Sequence, residues 1–174
     1  MKRNITVIKD PDGNNVVVIN DILFKGKRSI DWIDVKNYLK RFVGEVYSVA
    51  ATDDIVFLGS ELPSEYTGSI YTKSLKGTLA KAKANASQGL PEMIETAQLK
   101  SAEKNHKKKH GRDAKFGWYR YETRFAIPVY DDSNELCRYN VFRAVLLIRH
   151  AASGKKYLYD VTEIKKETSK SCRA

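Results

Sequence analysis

Short apolar runs separated by turn residues fill the first sixty positions, a pattern typical of β-hairpins. Residues 5–8 and 16–19 are apolar and flank a turn that contains Gly13, which predicts a first hairpin. Residues 46–49 and 55–58 repeat this arrangement around a polar turn and predict a second hairpin. Between the two hairpins, an apolar stripe at helical spacing predicts an amphipathic helix that ends at Gly44. The stripe consists of Trp32, Val35, Leu39 and Phe42.

The middle of the chain has the composition of a helical region. Residues 61–69 contain Pro63 and Gly68 and are predicted as a loop. From residue 73 to residue 99, leucine and alanine recur at helical spacing with good helix formers between them. Pro91 lies where a second helical segment would begin, so this range is predicted as one broken helix.

Three long runs of alternating residues follow, over 118–129, 138–149 and 156–164. Short turn-forming segments join the runs, which predicts an antiparallel β-meander. The chain is therefore expected to be α+β, with N-terminal strands and helices packed on a C-terminal antiparallel sheet. The expected regions are residues 1–60 as a possible sub-domain, residues 61–170 with the helices and the meander, and residues 171–174 as a tail.

The alternation in the meander also predicts which side chains share a face of the sheet. The apolar set of the second strand is expected to pack on the helices, which leaves Arg143 and Arg149 on the open face. In the third strand, Tyr157, Tyr159 and Val161 are expected on the face opposite to Leu158 and Asp160. The apolar set consists of Phe142, Ala144, Leu146 and Ile148.

The charge of the chain indicates what kind of partner such a fold would bind. The chain has 31 Lys and Arg against 21 Asp and Glu, a formal net charge of +10, and the excess is larger in its C-terminal half. Such an excess favours a polyanionic partner, with nucleic acid as the leading candidate. The alternative is that lysines only keep the surface soluble.

Other sequence features narrow the compartment and the chemistry. No apolar run is long enough for a transmembrane helix and no secretory signal is recognised, so a cytoplasmic protein with no membrane partner is expected. Cys137 and Cys172 are far apart in sequence, which disfavours a disulfide framework and fits a reducing compartment. The phosphate-binding loop, the dinucleotide-binding glycine motif and the serine-hydrolase elbow are all absent from the sequence.

Residues 100–113 are the most unusual stretch, because they are strongly basic and contain two of the three histidines of the chain. His106 and His110 have a spacing that suits zinc on a helix, but the segment lacks the remaining ligands of a zinc motif. No metal or other cofactor is therefore expected. A histidine in this segment can carry a proton near neutral pH, and the alternative is a plain basic loop.

Arginines and tyrosines on the open face of the predicted sheet suit a phosphate and a stacked base. The alternative is that these arginines are solvated and paired with Glu122 and Asp160. On residue types alone this alternative is the stronger of the two.

Six segments, taken as an ordered set, carry a resemblance to a known family. They resemble the large polyvalent protein-associated domain of phage and mobile-element polyproteins, which is assigned to the barnase–EndoU–colicin–RelE-like nuclease superfamily. The similarity spans roughly residues 16–170. The segments are Ser74–Asn85, Leu90–Ala97, Asn105–His110, Gly117–Phe125, Tyr157–Asp160 and Ile164–Ser169.

This resemblance implies a ribonuclease-toxin-like fold, with helices on a curved antiparallel sheet and an active site on the open face. It also implies metal-independent cleavage of RNA through the ribose 2′-hydroxyl, which leaves a 2′,3′-cyclic phosphate and a 5′-hydroxyl. The implied role is that of an effector or toxin that acts on RNA, with tRNA as one candidate, and that has an immunity or inhibitor protein as its partner.

The resemblance implies roles for particular residues as well. His110 would be the general base or acid, with His106 as its substitute, and the scissile phosphate would lie against Arg124 and Arg143. Tyr159 would be an acid or a stacking platform, and the end of the last strand would contribute Lys166 and Thr168. The expected nucleic-acid-binding residues are Lys107, Lys108, Lys109, Arg112, Arg120, Arg149 and Lys165.

Three other functions remain open at this point. The first is a non-catalytic nucleic-acid- or protein-binding module of a phage or mobile element, which would share the fold and the basic face. The second is an inhibitor of host defence. The third is ADP-ribosyl transfer, which the sequence disfavours because Glu163 and Glu167 are four residues apart and form no Glu-x-Glu motif.

Overall fold

The structure, a computed structural model, describes residues 3–26, 29–106 and 110–169, and the side chains of Thr168 and Ser169 lie outside this description. The strands are β1 (Ile5–Lys9), β2 (Asn15–Ile19), β3 (Val46–Ser48), β4 (Ile55–Phe57), β5 (Gln98–Glu103), β6 (Trp118–Tyr130), β7 (Leu136–His150) and β8 (Lys156–Ser169). The α-helices are α1 (Trp32–Leu39), α2 (Leu62–Gly68), α3 (Ile70–Ser74), α4 (Gly77–Ala86) and α5 (Leu90–Thr96), with 3-10 turns at Lys40–Phe42 and Ser87–Gly89. Among the helices of these ranges, none is both long enough and apolar enough to cross a lipid bilayer.

All eight strands of the described ranges belong to one sheet. Seven of them follow the order β1-β2-β6-β7-β8-β4-β3, and β5 lies off this path and pairs with β6. The three long strands β6, β7 and β8 form the predicted antiparallel meander. β5 pairs with the first half of β6, and β2 pairs with the same strand further along. Only the pairs β2–β6 and β4–β8 are parallel, so the sheet is mostly antiparallel and the α+β class is confirmed.

The predicted apolar face of β7 is confirmed as the floor of the core. Phe142, Ala144, Leu146 and Ile148 are buried against the helices. Phe125 of β6 stacks on Phe142 with their ring centroids 5.2 Å apart. Gly89 lies where the helix layer comes closest to β2, because a Cβ atom there would lie 2.6 Å from Cδ1 of Ile19. The opposite face of the three long strands carries partly exposed polar side chains, among them Arg120, Arg124 and Arg143.

The helical region differs from its prediction in two places. Residues 61–69 contain α2 instead of a loop, since Pro63 occupies the first turn, where proline is tolerated, and Leu62 and Tyr66 bury their side chains. The broken helix predicted for residues 73–99 is three helices, and the chain turns into β5 from Gln98. The long edge of β6 supplies the hydrogen-bonding partner for this strand, and local sequence does not report such a partner.

The predicted alternation of β8 is wrong after Leu158, because the strand contains β-bulges. Leu158 pairs with Ile148, but the next paired residue is Asp160, opposite Leu147, so Tyr159 is the extra residue. Val161 is consequently in the core together with Leu158, whereas the sequence pattern placed these two residues on opposite faces. A second register shift follows at Glu163, whose φ of 51° is left-handed.

Cys137 is disulfide-bonded in the structure, which differs from the expectation for two distant cysteines. Cys172 lies outside the described residues.

A buried ion pair joins the helix layer to the sheet. Nζ of Lys83 in α4 lies 2.5 Å from Oδ1 of Asp160 in β8, and both side chains are almost fully buried. Lys83 also donates to the hydroxyl of Thr72, and Ser69 donates to the other oxygen of Asp160. Burial lowers the pKa of Lys83, and the Asp160 charge opposes this shift. Burial likewise raises the pKa of Asp160 against the influence of Lys83.

Removal of one partner of this pair should destabilise the fold strongly. Lys83→Met leaves the Asp160 carboxylate buried without its cation, which costs about 3 to 5 kcal/mol of unfolding free energy at pH 7. The double variant Lys83→Met/Asp160→Asn should recover most of this loss, because neither charge remains. Urea unfolding followed by circular dichroism measures both values, with Lys81→Met as the control on the same helix. A double variant no more stable than Lys83→Met would contradict this account.

Asp54, at the β3–β4 turn, links that hairpin to the meander. Its carboxylate accepts from Lys156 of β8 at 2.7 Å and from the hydroxyls of Tyr121 and Thr52. Partial burial acts to raise the pKa of Asp54, but these three hydrogen bonds outweigh it and hold the pKa below its usual value.

The lowered pKa of Asp54 predicts a specific pH dependence. A carboxyl group whose pKa is lower in the folded state stabilises the protein above its unfolded pKa, and this contribution disappears as the pH falls through the folded pKa. Asp54→Asn should therefore cost about 1 to 2 kcal/mol at pH 7 and much less near pH 3. Asp53→Asn, at the exposed neighbouring position, should show no such difference. Equal losses at both pH values for Asp54→Asn would contradict the assignment.

Candidate active site on the open sheet face

The open face of the meander carries a pocket of about 510 Å³, here called the open-face pocket. Its floor is formed by β6, β7 and β8, one wall by the α2–α3 junction, and the other wall by the segment that follows β5. This volume is in the range of small-molecule sites. The side chains that carry its chemistry are Glu65, His106, His110, Trp118, Arg120 and Tyr159.

Three aromatic rings form the centre of the pocket. The His110 ring lies edge-to-face against Trp118 at 5.1 Å and against Tyr159 at 5.6 Å between centroids. Trp118 and Tyr159 also meet edge-to-face, at 5.1 Å. Trp118 belongs to the regular alternation of β6, and Tyr159 is the extra residue of the β8 bulge, next to the core residue Leu158. The bulge brings the next residue, Asp160, to the same pocket.

His110 is held in a defined orientation by the turn that contains it. Its Nδ1 lies 2.9 Å from Oδ2 of Asp113, and its backbone carbonyl accepts from Asn105. Oδ1 of Asp113 is buried and has no hydrogen-bond partner among the described residues. A ring nitrogen that is anchored by a carboxylate leaves the other nitrogen for proton transfer, an arrangement that recurs in catalytic bases.

Arg149 has a different place from the one predicted for it. The sequence pattern places it on the open face among the nucleic-acid-binding residues, but its side chain is only about 10% exposed. Its guanidinium donates to the carbonyl of Asp113, approaches Glu61 and lies over the ring of Tyr157. Arg149 therefore fixes the turn that carries His110.

Tyr159 is protonated at neutral pH. Burial raises its pKa, and its hydrogen bond to Glu65 raises the pKa further. Because the hydroxyl group of Tyr159 is hydrogen-bonded to Glu65, only the aromatic ring of Tyr159 is left to contact a ligand. Of the two roles implied for this residue, the geometry favours the stacking platform.

Two arginines of β6 are paired with carboxylates. Arg120 forms an ion pair with Glu103 across β5 and β6. Arg124, two residues further along β6, is paired with Glu122 and with Glu167. The pairing of Arg124 with Glu122 agrees with the solvated-charge interpretation of the sequence, whereas Asp160 is paired with the buried Lys83.

Arg143 lies on the open face but at a distance from the pocket. It is opposite Arg124 in the register, and it precedes the pocket residue Leu147 by four positions on β7. Four residues of strand correspond to about 13 Å. Arg124 and Arg143 therefore do not meet His110 at one phosphate, which corrects the expectation that all three contact the scissile group.

The remaining predicted residues are scattered. Lys165 is exposed on the open face opposite Arg143, whereas Lys166 pairs with the core residue Phe142 and so lies on the helix-bearing face. Arg112 is exposed in the turn after His110. Lys107, Lys108 and Lys109 and the side chain of Thr168 lie outside the described part of the chain.

Sequence reasoning missed several residues that shape the pocket. Asp113 was detectable in principle, because it follows His110 by three residues in a turn-forming segment. Glu65 was assigned to a loop, and Asp160 to the face opposite Tyr159. To place Glu65 and Asp160 correctly, the positions of α2 and of the β8 bulge must be known, and these depend on contacts between distant parts of the chain.

Across the ranges 3–26, 29–106 and 110–169, no group of three His, Cys, Asp or Glu side chains has the geometry to hold a metal ion. Comparisons with protein-family models, with curated proteins and with solved structures return no match for this chain.

Proposed function

We propose that this protein is a metal-independent ribonuclease, related to the nuclease-toxin superfamily that its motifs resemble, and that the open-face pocket is its active site. The observation that carries the proposal is the position of His110. Its ring is oriented by Asp113, is flanked by Trp118 and Tyr159, and lines an open pocket that also contains His106 and Arg120.

In the proposed reaction, His110 accepts the proton of a ribose 2′-hydroxyl while the 2′-oxygen bonds to the adjacent phosphorus. The bond from phosphorus to the 5′-oxygen breaks, and a protonated group returns a proton to that oxygen. His106 lines the same pocket and is exposed, so we assign the acid role to it. The products are a 2′,3′-cyclic phosphate and a 5′-hydroxyl, and no water is consumed in this step.

The floor of the pocket suits an unpaired base. Trp118 and Tyr159 present aromatic surface, and stacking on such side chains contributes about 1 to 3 kcal/mol per base in single-strand binding. Arg120 follows Trp118 by two residues in β6 and lines the same pocket, and it would exchange Glu103 for a phosphoryl oxygen when RNA binds.

One observation favours a second candidate function. Arg120 and Arg124 are both paired with carboxylates, so neither is free to stabilise charge on a reacting phosphate in this arrangement. The same face would then bind nucleic acid without cleaving it. The two functions differ in their products, since a binding module leaves the RNA intact.

Cleavage in the presence of EDTA tests the proposal. The purified protein should cut labelled tRNA and a mixed-sequence RNA to fragments that end in 2′,3′-cyclic phosphate. His110→Asn should lower the rate by about 100-fold to 10,000-fold, since general acid–base catalysis contributes this much.

Matched variants make this result specific. His150→Gln is the histidine control, because His150 contacts Tyr119 and Phe116 and lies outside the pocket, and it should keep full activity. Intact RNA after prolonged incubation, together with salt-sensitive binding by both the wild type and His110→Asn, would replace the nuclease by the binding module.

Asp113 should act as a positioning residue for His110. Asp113→Asn removes the anchoring charge from Nδ1 and should lower kcat by about 10-fold to 100-fold, less than His110→Asn. KM should stay unchanged, because Asp113 does not contact the substrate in this proposal. Steady-state cleavage of a short fluorogenic RNA separates the two constants. A change in KM alone would assign Asp113 to substrate binding and contradict this role.

A further inference from the structure

A row of three cations crosses the open face, one on each long strand. Arg124 of β6 is directly opposite Arg143 of β7, and Arg143 is directly opposite Lys165 of β8. Like charges at directly opposed positions of a sheet destabilise it. The row therefore costs folding free energy unless it is compensated by other groups of the protein or by a ligand.

The protein compensates only one member of the row. Arg124 is held by Glu122 at 3.3 Å and by Glu167 at 2.9 Å, and Asp10 also interacts with it electrostatically. Within residues 3–26, 29–106 and 110–169, Arg143 and Lys165 have no ion-pair partner. Arg143 is also partly buried. An arginine and a lysine that lack ion-pair partners among the described residues form a surface complementary to an anion.

We infer that Arg143 and Lys165 form a phosphate subsite for single-stranded RNA whose reacting nucleotide occupies the open-face pocket. For its ligand, this inference rests on the proposed function. The subsite and the open-face pocket lie on the same face of β7 and β8, and no helix of the described part separates the subsite from the pocket. The pocket selects an unpaired base by stacking, so the strand that reaches the subsite is single.

The separation between the two places sets the length of RNA required. The subsite lies about 13 Å from Leu147 along β7. A stacked strand advances about 3.4 Å per nucleotide, so the subsite is about four nucleotides from the pocket, or fewer if the strand is extended. A dinucleotide is too short to contact both places, whereas an octanucleotide can contact both.

Binding of uncleavable oligonucleotides tests the subsite apart from catalysis. The probes are fluorescein-labelled 2′-O-methyl RNAs of two and eight nucleotides, in which the attacking hydroxyl is blocked. The proteins are the wild type, Arg143→Gln, Lys165→Gln and the double variant. Lys40→Gln and Arg41→Gln are matched controls, since both are exposed on the 3-10 turn after α1 and away from the pocket.

The expected result depends on oligonucleotide length. The double variant should bind the octanucleotide about tenfold more weakly at low salt, with a slope of log K against log salt that is smaller by about 0.7 per lost contact. Its affinity for the dinucleotide should match that of the wild type, and the controls should change neither. Octanucleotide binding that is unaffected, or equal losses for both lengths, would overturn the subsite.

The two proposals can fail separately. If RNA is not cleaved but the length-dependent loss is observed, the subsite stands and the nuclease does not. If RNA is cleaved but the double variant shows no length-dependent loss of binding, the nuclease stands and the subsite does not. Failure of the wild-type protein to bind the octanucleotide at low salt would also overturn the subsite. The alternative ligand of Arg143 and Lys165 would then be an acidic protein surface.

Discussion

The buried Lys83–Asp160 ion pair is the interaction on which the site depends. It connects α4 to β8, and the hydroxyls of Ser69 and Thr72 bring the α2–α3 junction to the same point. Buried charges are tolerated only in close, fully hydrogen-bonded geometry, so the pair fixes the position of the helix layer over the sheet. The wall and the floor of the open-face pocket meet where this pair lies.

The site is built from turns and irregularities that regular structure holds in place. The turn that carries His110 is attached to the end of β7 by Arg149, and Tyr159, the extra residue of the β8 bulge, packs against His110. Regular pairing would have placed Asp160 on the helix-bearing face, opposite to Tyr159. A local bulge in a rigid sheet is a common way to re-aim a side chain.

The open face divides into two parts with different electrostatics. Around the pocket, arginines are paired with carboxylates and the surface is aromatic, which suits a base and a proton carrier. Further along the same strands, Arg143 and Lys165 have no ion-pair partner in the described part of the chain and suit a phosphate. A strand of RNA that runs along the sheet would meet both parts in order. The sequence suggested either that the arginines of this face are paired with carboxylates or that they bind phosphate. This division shows that the first interpretation fits one part of the face and the second fits the other.

The sequence by itself determined the hairpins, the meander and the apolar face of β7, because each of these follows from local periodicity. It also indicated His110 as a candidate functional residue, from the composition of its segment. It also indicated a basic surface, although not which cations are free. Tertiary structure decided the rest: α2 in place of a loop, β5 on the edge of β6, the bulge that moves Tyr159 and Asp160 together, and the burial of Arg149. Each of these depends on a partner distant in sequence. A single extra residue in a strand reverses every later side chain, so no local pattern could have placed them.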